Sequence, residues 1–447
     1  MVKENRLVKE TFDIAWPAVV ESVFIVLVGM LDTYMVSPIG KQVVAAISLA
    51  NQPKILVYIA FFATNSAISA LIARRKGAEA RGEAHALYVT GLLFTVMSGI
   101  VLSLLCVMFA KPIIQLFGGN EETTAVAVQY FRIIMGGMLF NLIMMYTNAA
   151  LRGCGNTKIT LQTNVVGNTV NILFNYLLIG GHFGFPALGA AGAGIATVIG
   201  QIFACIMCVI ALFREESYIR VSFIKEAGIR PTKEAFIQLN RMGRNITFEL
   251  LLTRVGFAVT AMITARIGTD PYAAHAVGML FMNLGFAFGD GMQMAAVSLI
   301  GTSLGAKDKE KAQKISIIAQ KMGLCMSAVM VGILLLFARS LYGFYFKEAY
   351  MLDMCMMING FIAVIMPIQV SKIIFNGILR GAGDVKYTLY AAAFSVTLLQ
   401  PIVSYVLVIV VGLGLMGVWL SILATQTAQL LCFGLRYKSG KWAKKVI

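Results

Sequence analysis

Apolar residues occur along this chain in long runs that short polar segments separate. A helix needs about 20 mostly apolar residues to cross the hydrocarbon core of a bilayer. The pattern predicts twelve such helices, over residues 12–37, 42–72, 84–109, 121–150, 159–181, 188–213, 242–266, 272–304, 314–338, 347–379, 386–411 and 414–436. We therefore expect an all-α integral membrane protein with twelve transmembrane helices.

The composition agrees with this pattern. Hydrophobic residues make up 59% of the 447 residues and charged residues 13%, and the mean hydropathy is +0.81. A soluble domain has about 45–50% apolar and about 25% charged residues. These values exclude a secreted disulfide domain, a disordered chain and a coiled coil.

The seven cysteines fall mostly in apolar runs, so we expect free thiols. Neither a nucleophile–base group nor a metal-ligand spacing stands out, and we predict no enzyme activity and no cofactor.

The positive charge of the chain is concentrated on one side of the predicted topology. The net charge is +16, which in a soluble protein would suggest nucleic acid. With the N-terminus placed inside, 27 of the 37 Lys and Arg residues fall in inner segments and five in outer segments. Basic loops of a membrane protein face the cytoplasm. We therefore predict a cell-membrane protein with both termini in the cytoplasm, a lipid bilayer as its environment and no nucleic-acid partner.

The chain contains an internal duplication. Residues 148–161 read NAALRGCGNTKITL and residues 376–389 read NGILRGAGDVKYTL, with eight of fourteen positions identical at an offset of 228. The same offset pairs Glu21 with Glu249. Each half has six predicted helices, and because six is even the two repeats run in parallel. The predicted organisation is an N-terminal lobe over 1–213, a cytoplasmic linker over 214–241 and a C-terminal lobe over 242–447.

Polar residues inside the first half mark a candidate site, because ionisable residues in a span are costly and usually functional. Asp32 follows Glu21 by eleven residues, about three helical turns, so both lie on one face of the first helix. The fifth helix carries four asparagines on one face, which either join helices by hydrogen bonds or form a cation or proton site. These are Asn164, Asn168, Asn171 and Asn175.

Further charged residues lie in the second helix and in the second half. Lys54, on the same helix as Tyr58, needs an anionic partner, and Asp32 or Glu21 is the nearest by sequence. Pairing with Asp32 would make that acid a poorer proton carrier. In the second half, Asp290 either forms a salt bridge, such as with Arg254 or Lys372, or binds a cation or recognises the charge of a substrate. One face of the tenth helix carries Gln369, Lys372 and Asn376.

Several motifs together resemble the MATE (multidrug and toxic compound extrusion) family over essentially the whole chain. They are Gly29-Met30-Leu31-Asp32-Thr33, the two L-R-G-x-G-x-x-K loops, Asn171-Ile-Leu-Phe-Asn175-Tyr176 and Gly192-Ala-Gly-Ile-Ala-Thr197. The resemblance implies a V-shaped pair of six-helix lobes. It also implies an antiporter that exports drug-like, cationic or amphiphilic compounds by alternating access, coupled to H⁺ or Na⁺. We expect a monomer.

The resemblance also assigns residues. It implies that Asp32 is the coupling acid of the first lobe, although the family often has Asp where Asn175 stands here. The predicted cation-coupling residues are Asp32, Asn171, Asn175, Thr197, Glu249 and Asp290. The predicted substrate-cavity residues are Glu21, Lys54, Tyr58, Arg254, Gln369, Lys372 and Asn376. The alternative is a lipid-linked oligosaccharide flippase of the same wider superfamily, which the basic residues Lys54, Arg254 and Lys372 keep open.

Overall fold

The computed structural model describes residues 2–445, and almost all of them are helical. The helices of the first half are α1 (Val2–Val36), α2 (Lys41–Gly77), α3 (Arg81–Met108), α4 (Ala110–Leu116), α5 (Glu121–Gly136), α6 (Met138–Gly153), α7 (Thr157–Gly180) and α8 (Gly189–Ala211). Those that follow are α9 (Val221–Glu226), α10 (Lys233–Ala265), α11 (Thr269–Gly305), α12 (Lys309–Gly343), α13 (Ala349–Gly381), α14 (Val385–Ala392), α15 (Gln400–Tyr405) and α16 (Gly414–Lys438). Two π-helical segments, Ala393–Leu399 and Val406–Val410, flank α15.

Ten of the twelve predicted spans each correspond to one of these helices. The span over 121–150 corresponds to α5 and α6, and the span over 386–411 corresponds to α14, α15 and the two π-helical segments. Within the described residues, ten helical stretches are long and apolar enough to cross a membrane, and the pair α5 and α6, bent by 49°, makes an eleventh. The remaining predicted span is α7, whose asparagine-rich face lowers its hydropathy. The all-α membrane fold with twelve helices in two lobes is thus confirmed. The seven cysteines are free thiols, as predicted.

The chain divides into two compact units, and each is described here by itself. One unit comprises Val20–Arg244, and the other comprises Met1–Val19 with Asn245–Ile447. The boundaries therefore fall inside α1 and α10, whereas the sequence places them around the linker 214–241.

The linker region packs onto the Val20–Arg244 unit. The backbone N–H of Arg220 donates to His85 Nε2 at 3.2 Å, and that of Thr232 donates to Thr90 Oγ1 at 3.0 Å. Both acceptors lie on α3, so this polar segment is fixed to the first repeat.

Small residues bring α7 and α8 close together. A Cβ atom built on Gly200 of α8 would lie 2.5 Å from the carbonyl oxygen of Gly167 on α7. Glycine contacts of this kind let membrane helices approach at backbone distance. The contact positions Thr197, one turn before Gly200, against the asparagine face of α7.

A second close contact in the other unit gives a testable prediction. A Cβ atom on Gly256 of α10 would lie 2.1 Å from the carbonyl oxygen of Val396, in the first π-helical segment. We expect Gly256→Ala to destabilise the protein by about 1–3 kcal/mol, because the backbone must shift. Gly332→Ala on α12, where no atom lies within 4 Å, is the matched control and should be neutral or stabilising by up to about 1 kcal/mol. Thermal unfolding in detergent measures both, and equal midpoints would contradict this packing.

Candidate functional site

Asp32 on α1 is held by two amide groups from one face of α7. Asn175 Nδ2 donates to Asp32 Oδ1 at 2.8 Å. The Asn171 amide is satisfied when its nitrogen faces Asp32 Oδ1 at 2.9 Å. Its oxygen then accepts from the backbone N–H and the hydroxyl of Thr197, at 3.2 and 3.3 Å. The structure thus brings together four predicted coupling residues from α1, α7 and α8.

Asn171 and Asn175 have both donor and acceptor groups, so they can hydrogen-bond Asp32 in its charged and its protonated form. Asn171 and Asn175 are four residues apart on α7 and both are buried, so their amides need hydrogen-bond partners. Asn175 Oδ1 is a buried acceptor with no hydrogen-bond partner among the described residues. A protonated Asp32 has a hydroxyl to donate to such an acceptor, and a bound Na⁺ would take it as an oxygen ligand.

Two cavities meet at Asp32 and Thr197. One has a volume of about 220 Å³ and the other of about 290 Å³, and both residues line each of them. The other polar residues of the smaller cavity are Thr33, Ser48, Asn51, Lys54, Tyr130 and Asn175. Those of the larger cavity are Asn141, Asn164, Asn168, Asn171 and Gln201. Asp32 therefore separates two polar spaces inside one unit.

The structure does not contain the ion pair predicted for Lys54. Lys54 lines the smaller cavity with Asp32, but no ion pair within 4.0 Å joins Lys54 to a described acid. Pairing with Glu21 is wrong because that carboxylate is bound by another residue, Arg152. Lys54 and Asp32 are therefore two residues of opposite charge that line one cavity without an ion pair between them.

Glu21, predicted as a substrate-cavity residue, lines neither of the two cavities around Asp32. Its side chain is only 2% exposed and accepts three hydrogen bonds at 2.8 Å. The donors are Arg152 Nη1, Thr160 Oγ1 and Asn164 Nδ2. Because every donor comes from α6 or α7, the hydrogen bonds of Glu21 join α1 to these two helices.

Glu249 has the same arrangement in the other unit. Its carboxylate is 3% exposed and accepts from Arg380 Nη2 at 2.9 Å, Thr388 Oγ1 at 2.7 Å and Asn376 Nδ2 at 2.9 Å. Arg380 and Thr388 are the repeat equivalents of the arginine and threonine that bind Glu21. Glu249 and Asn376 thus belong to a buried ion-pair cluster, and neither lines the cavities around Asp32.

The other predicted residues of the second half are dispersed. Lys372 is buried and donates to Gln429 Oε1 at 2.8 Å, and Gln369 is buried and donates to the Met282 carbonyl at 3.4 Å. Lys372 forms no salt bridge with Asp290 among the described residues. Asp290 and Arg254 are both exposed, and no salt bridge between them occurs in the part of the chain that the structure describes.

In the first unit, Tyr58 is buried beside the site. Its hydroxyl accepts a hydrogen bond from Asn141 Nδ2 at 3.3 Å. Asn141, rather than Tyr58 itself, lines the larger cavity.

Sequence reasoning missed part of the cavity lining. Asn141 and Gln201 are single amides in apolar runs, so they lack the repeated spacing that marked the α7 asparagines, and their only signal is a polar side chain within a span. Tyr130 carries no comparable signal, because a tyrosine is common at helix ends and in packed interiors.

The family profile decides the classification. The sequence profile of the MatE family matches the chain twice, over residues 17–177 and 246–406. The chain belongs to the MATE family. The two matches start about one repeat length apart and confirm the duplication. Placement in the MATE family leaves no need for the flippase alternative.

Known relatives cover almost the whole of this MATE protein. A probable multidrug resistance protein NorM from Thermotoga maritima is 26% identical over 98% of this chain and 94% of its own length. The uncharacterized transporter YisQ from Bacillus subtilis is 24% identical over 97% and 95%.

Solved structures show the same fold. A multidrug resistance MATE transporter of the MOP superfamily in an outward-facing conformation matches with a TM-score of 0.90 and 20% identity, covering 98% of this chain and 97% of that one. A MATE structure in the straight conformation matches with a TM-score of 0.89 and 21% identity, with the same coverage. At this level of identity the likeness establishes the fold alone.

Proposed function

We propose that this MATE-family protein is a cation-coupled antiporter. It exports drug-like, cationic or amphiphilic compounds by alternating access, driven by H⁺ or Na⁺. The observation that carries the proposal is Asp32, a carboxyl group held by two amides at the junction of two polar cavities. We further propose a monomer in the cell membrane with both termini in the cytoplasm.

The coupling role of Asp32 follows from its surroundings. A charge inside a membrane helix is costly and persists where it has a function. Asp32 has hydrogen-bond donors that hold it in place, but within the described residues no cation lies within ion-pair distance. An external cation can therefore bind there, and binding that favours one conformation of the protein over another shifts the equilibrium between them.

The substrate class rests on the relatives. The NorM relatives are named probable multidrug resistance proteins, which suggests organic compounds rather than one nutrient. Asp290 of the second unit, exposed and without a hydrogen bond from any described side chain, is our candidate there for a second cation or for the substrate's charge.

Dye efflux from liposomes tests the proposal. The purified protein is reconstituted with a fluorescent organic cation inside, and a pH gradient and a Na⁺ gradient are imposed in separate experiments. We expect one of the two gradients to drive dye out of the liposomes, and an ionophore that collapses that gradient to stop it. Dye movement at the same rate with either gradient and with none would contradict coupling.

A further inference from the structure

Lys54 and Asp32 face the same small cavity from neighbouring helices. Lys54 projects from α2 and Asp32 from α1 into the space of about 220 Å³. Tyr130 on α5 is the one other titratable residue among its described lining residues, and the rest are neutral. The cavity therefore contains one acid and one base that are not joined by an ion pair.

Two residues that line this cavity have a buried side-chain oxygen with no hydrogen-bond partner among the described residues. One is Asn51 Oδ1, one helical turn before Lys54 on α2. The other is Asn175 Oδ1, beside Asp32. An ammonium group inside a protein needs acceptors, because its charge loses the solvation of water. Asn51 and Asp32 are therefore the neutral and the anionic acceptor residues that line the cavity together with Lys54.

We infer that Lys54 is the internal counter-ion of Asp32, and that its ammonium group takes the place of the coupling cation once that cation has left. The inference rests on the proposed coupling role of Asp32. Lysine has a compact charge on a flexible four-carbon stem, which suits a movement between two acceptors. With the cation bound, Asp32 is neutralised and Lys54 stays near Asn51. With the cation released, Lys54 pairs with the carboxylate.

This competition has a functional consequence for transport. A positive charge near Asp32 lowers its affinity for any coupling cation, H⁺ or Na⁺, because the two cations repel each other. Lys54 therefore speeds release of the cation and keeps the empty site neutral overall. Lys54 affects the coupling cation only through Asp32. It is therefore a positioning residue and does not itself bind the cation.

The dependence of efflux on the concentration of the coupling cation tests the inference. We expect Lys54→Gln to lower the half-maximal cation concentration by about tenfold. Removal of one unit charge across a partly hydrated cavity changes the affinity for the cation by about this factor. Maximal efflux should fall because release is slower. Lys54→Arg keeps the charge and should stay close to the unsubstituted protein. The matched control is Lys41→Gln, an exposed lysine at the start of the same helix, which should change neither value.

The outcomes separate this inference from the proposed function. An unchanged half-maximal concentration in Lys54→Gln, with Asp32→Asn inactive, would overturn the counter-ion role and leave Asp32 as the coupling acid. Full cation-driven efflux in Asp32→Asn would overturn both. If Lys54→Gln does not fold, Lys54→Met offers the same test with a side chain better suited to apolar surroundings, and thermal unfolding confirms that each variant is folded.

Discussion

We expect gradient-driven efflux to fall to the rate of protein-free liposomes when Asp32 is replaced by asparagine. This result is expected because asparagine has the shape of aspartate but neither takes up a proton nor carries the negative charge that attracts Na⁺. It can still accept hydrogen bonds from the Asn171 and Asn175 amides through its own oxygen, so the packing of α1 against α7 is retained. The measurement is dye efflux from liposomes under the gradient that drives the unsubstituted protein.

The control for this variant is on the same helix. Asp13 is exposed near the start of α1, and Asp13→Asn makes the same chemical change away from the cavities. We expect Asp13→Asn to retain the full rate. If both variants transport equally well, Asp32 is not the coupling acid.

The second large effect concerns stability. We expect Glu21→Gln and Glu249→Gln each to reduce the free energy of unfolding by about 3–5 kcal/mol. Removal of one partner from a buried ion pair leaves the other charge in the interior without its counter-charge. Here the guanidinium groups of Arg152 and Arg380 would lose their carboxylates. Chemical or thermal unfolding in detergent measures the loss.

An exposed ion pair provides the comparison. Lys314 and Glu310 form a salt bridge on the surface of α12, and Glu310→Gln should cost at most about 1 kcal/mol because water screens the pair. If Glu21→Gln were no more destabilising than Glu310→Gln, the buried cluster would not hold α1 in place as we infer. Similar losses for Glu21→Gln and Glu249→Gln would support equivalent roles in the two repeats.

The fold could be predicted from the sequence because lipid imposes a simple rule. Each span must be apolar over about 20 residues, so runs of hydrophobic residues mark the helices directly. Even α7, which carries four asparagines, is recognisable because these follow one face and leave the other faces apolar. The unit boundaries could not be predicted in this way, because they lie inside continuous helices, α1 and α10.

The candidate site was predictable where its residues share one helix. The spacing of Asn171 and Asn175 defines a face, and the resemblance to the MATE family linked that face to Asp32. The same kind of reasoning failed for Glu21. Its position on the face of Asp32 suggested one acidic stripe, whereas the structure binds it to Arg152, a residue placed in a loop by the sequence pattern. Spacing along one helix does not show which side chains of other helices lie opposite.

The duplication nevertheless contained the missing signal. Glu21 and Glu249 are 228 residues apart, and so are the two arginines and the two threonines that bind them. A buried cluster of three residues that recurs as a set in both halves indicates a shared structural contact. Asp32 has no acidic equivalent at this offset, since Thr260 stands there. The acid that differs between the repeats is the one we assign to coupling.

Substrate-driven cation movement is the most direct test of the central claim that Asp32 couples transport to a cation. Coupling of two ligands is reciprocal, so a gradient of the organic cation, imposed without any H⁺ or Na⁺ gradient, should drive the coupling cation in the opposite direction. We predict this flux for the unsubstituted protein and for Asp13→Asn, and none for Asp32→Asn. A cation flux in Asp32→Asn equal to that of the unsubstituted protein would contradict the account.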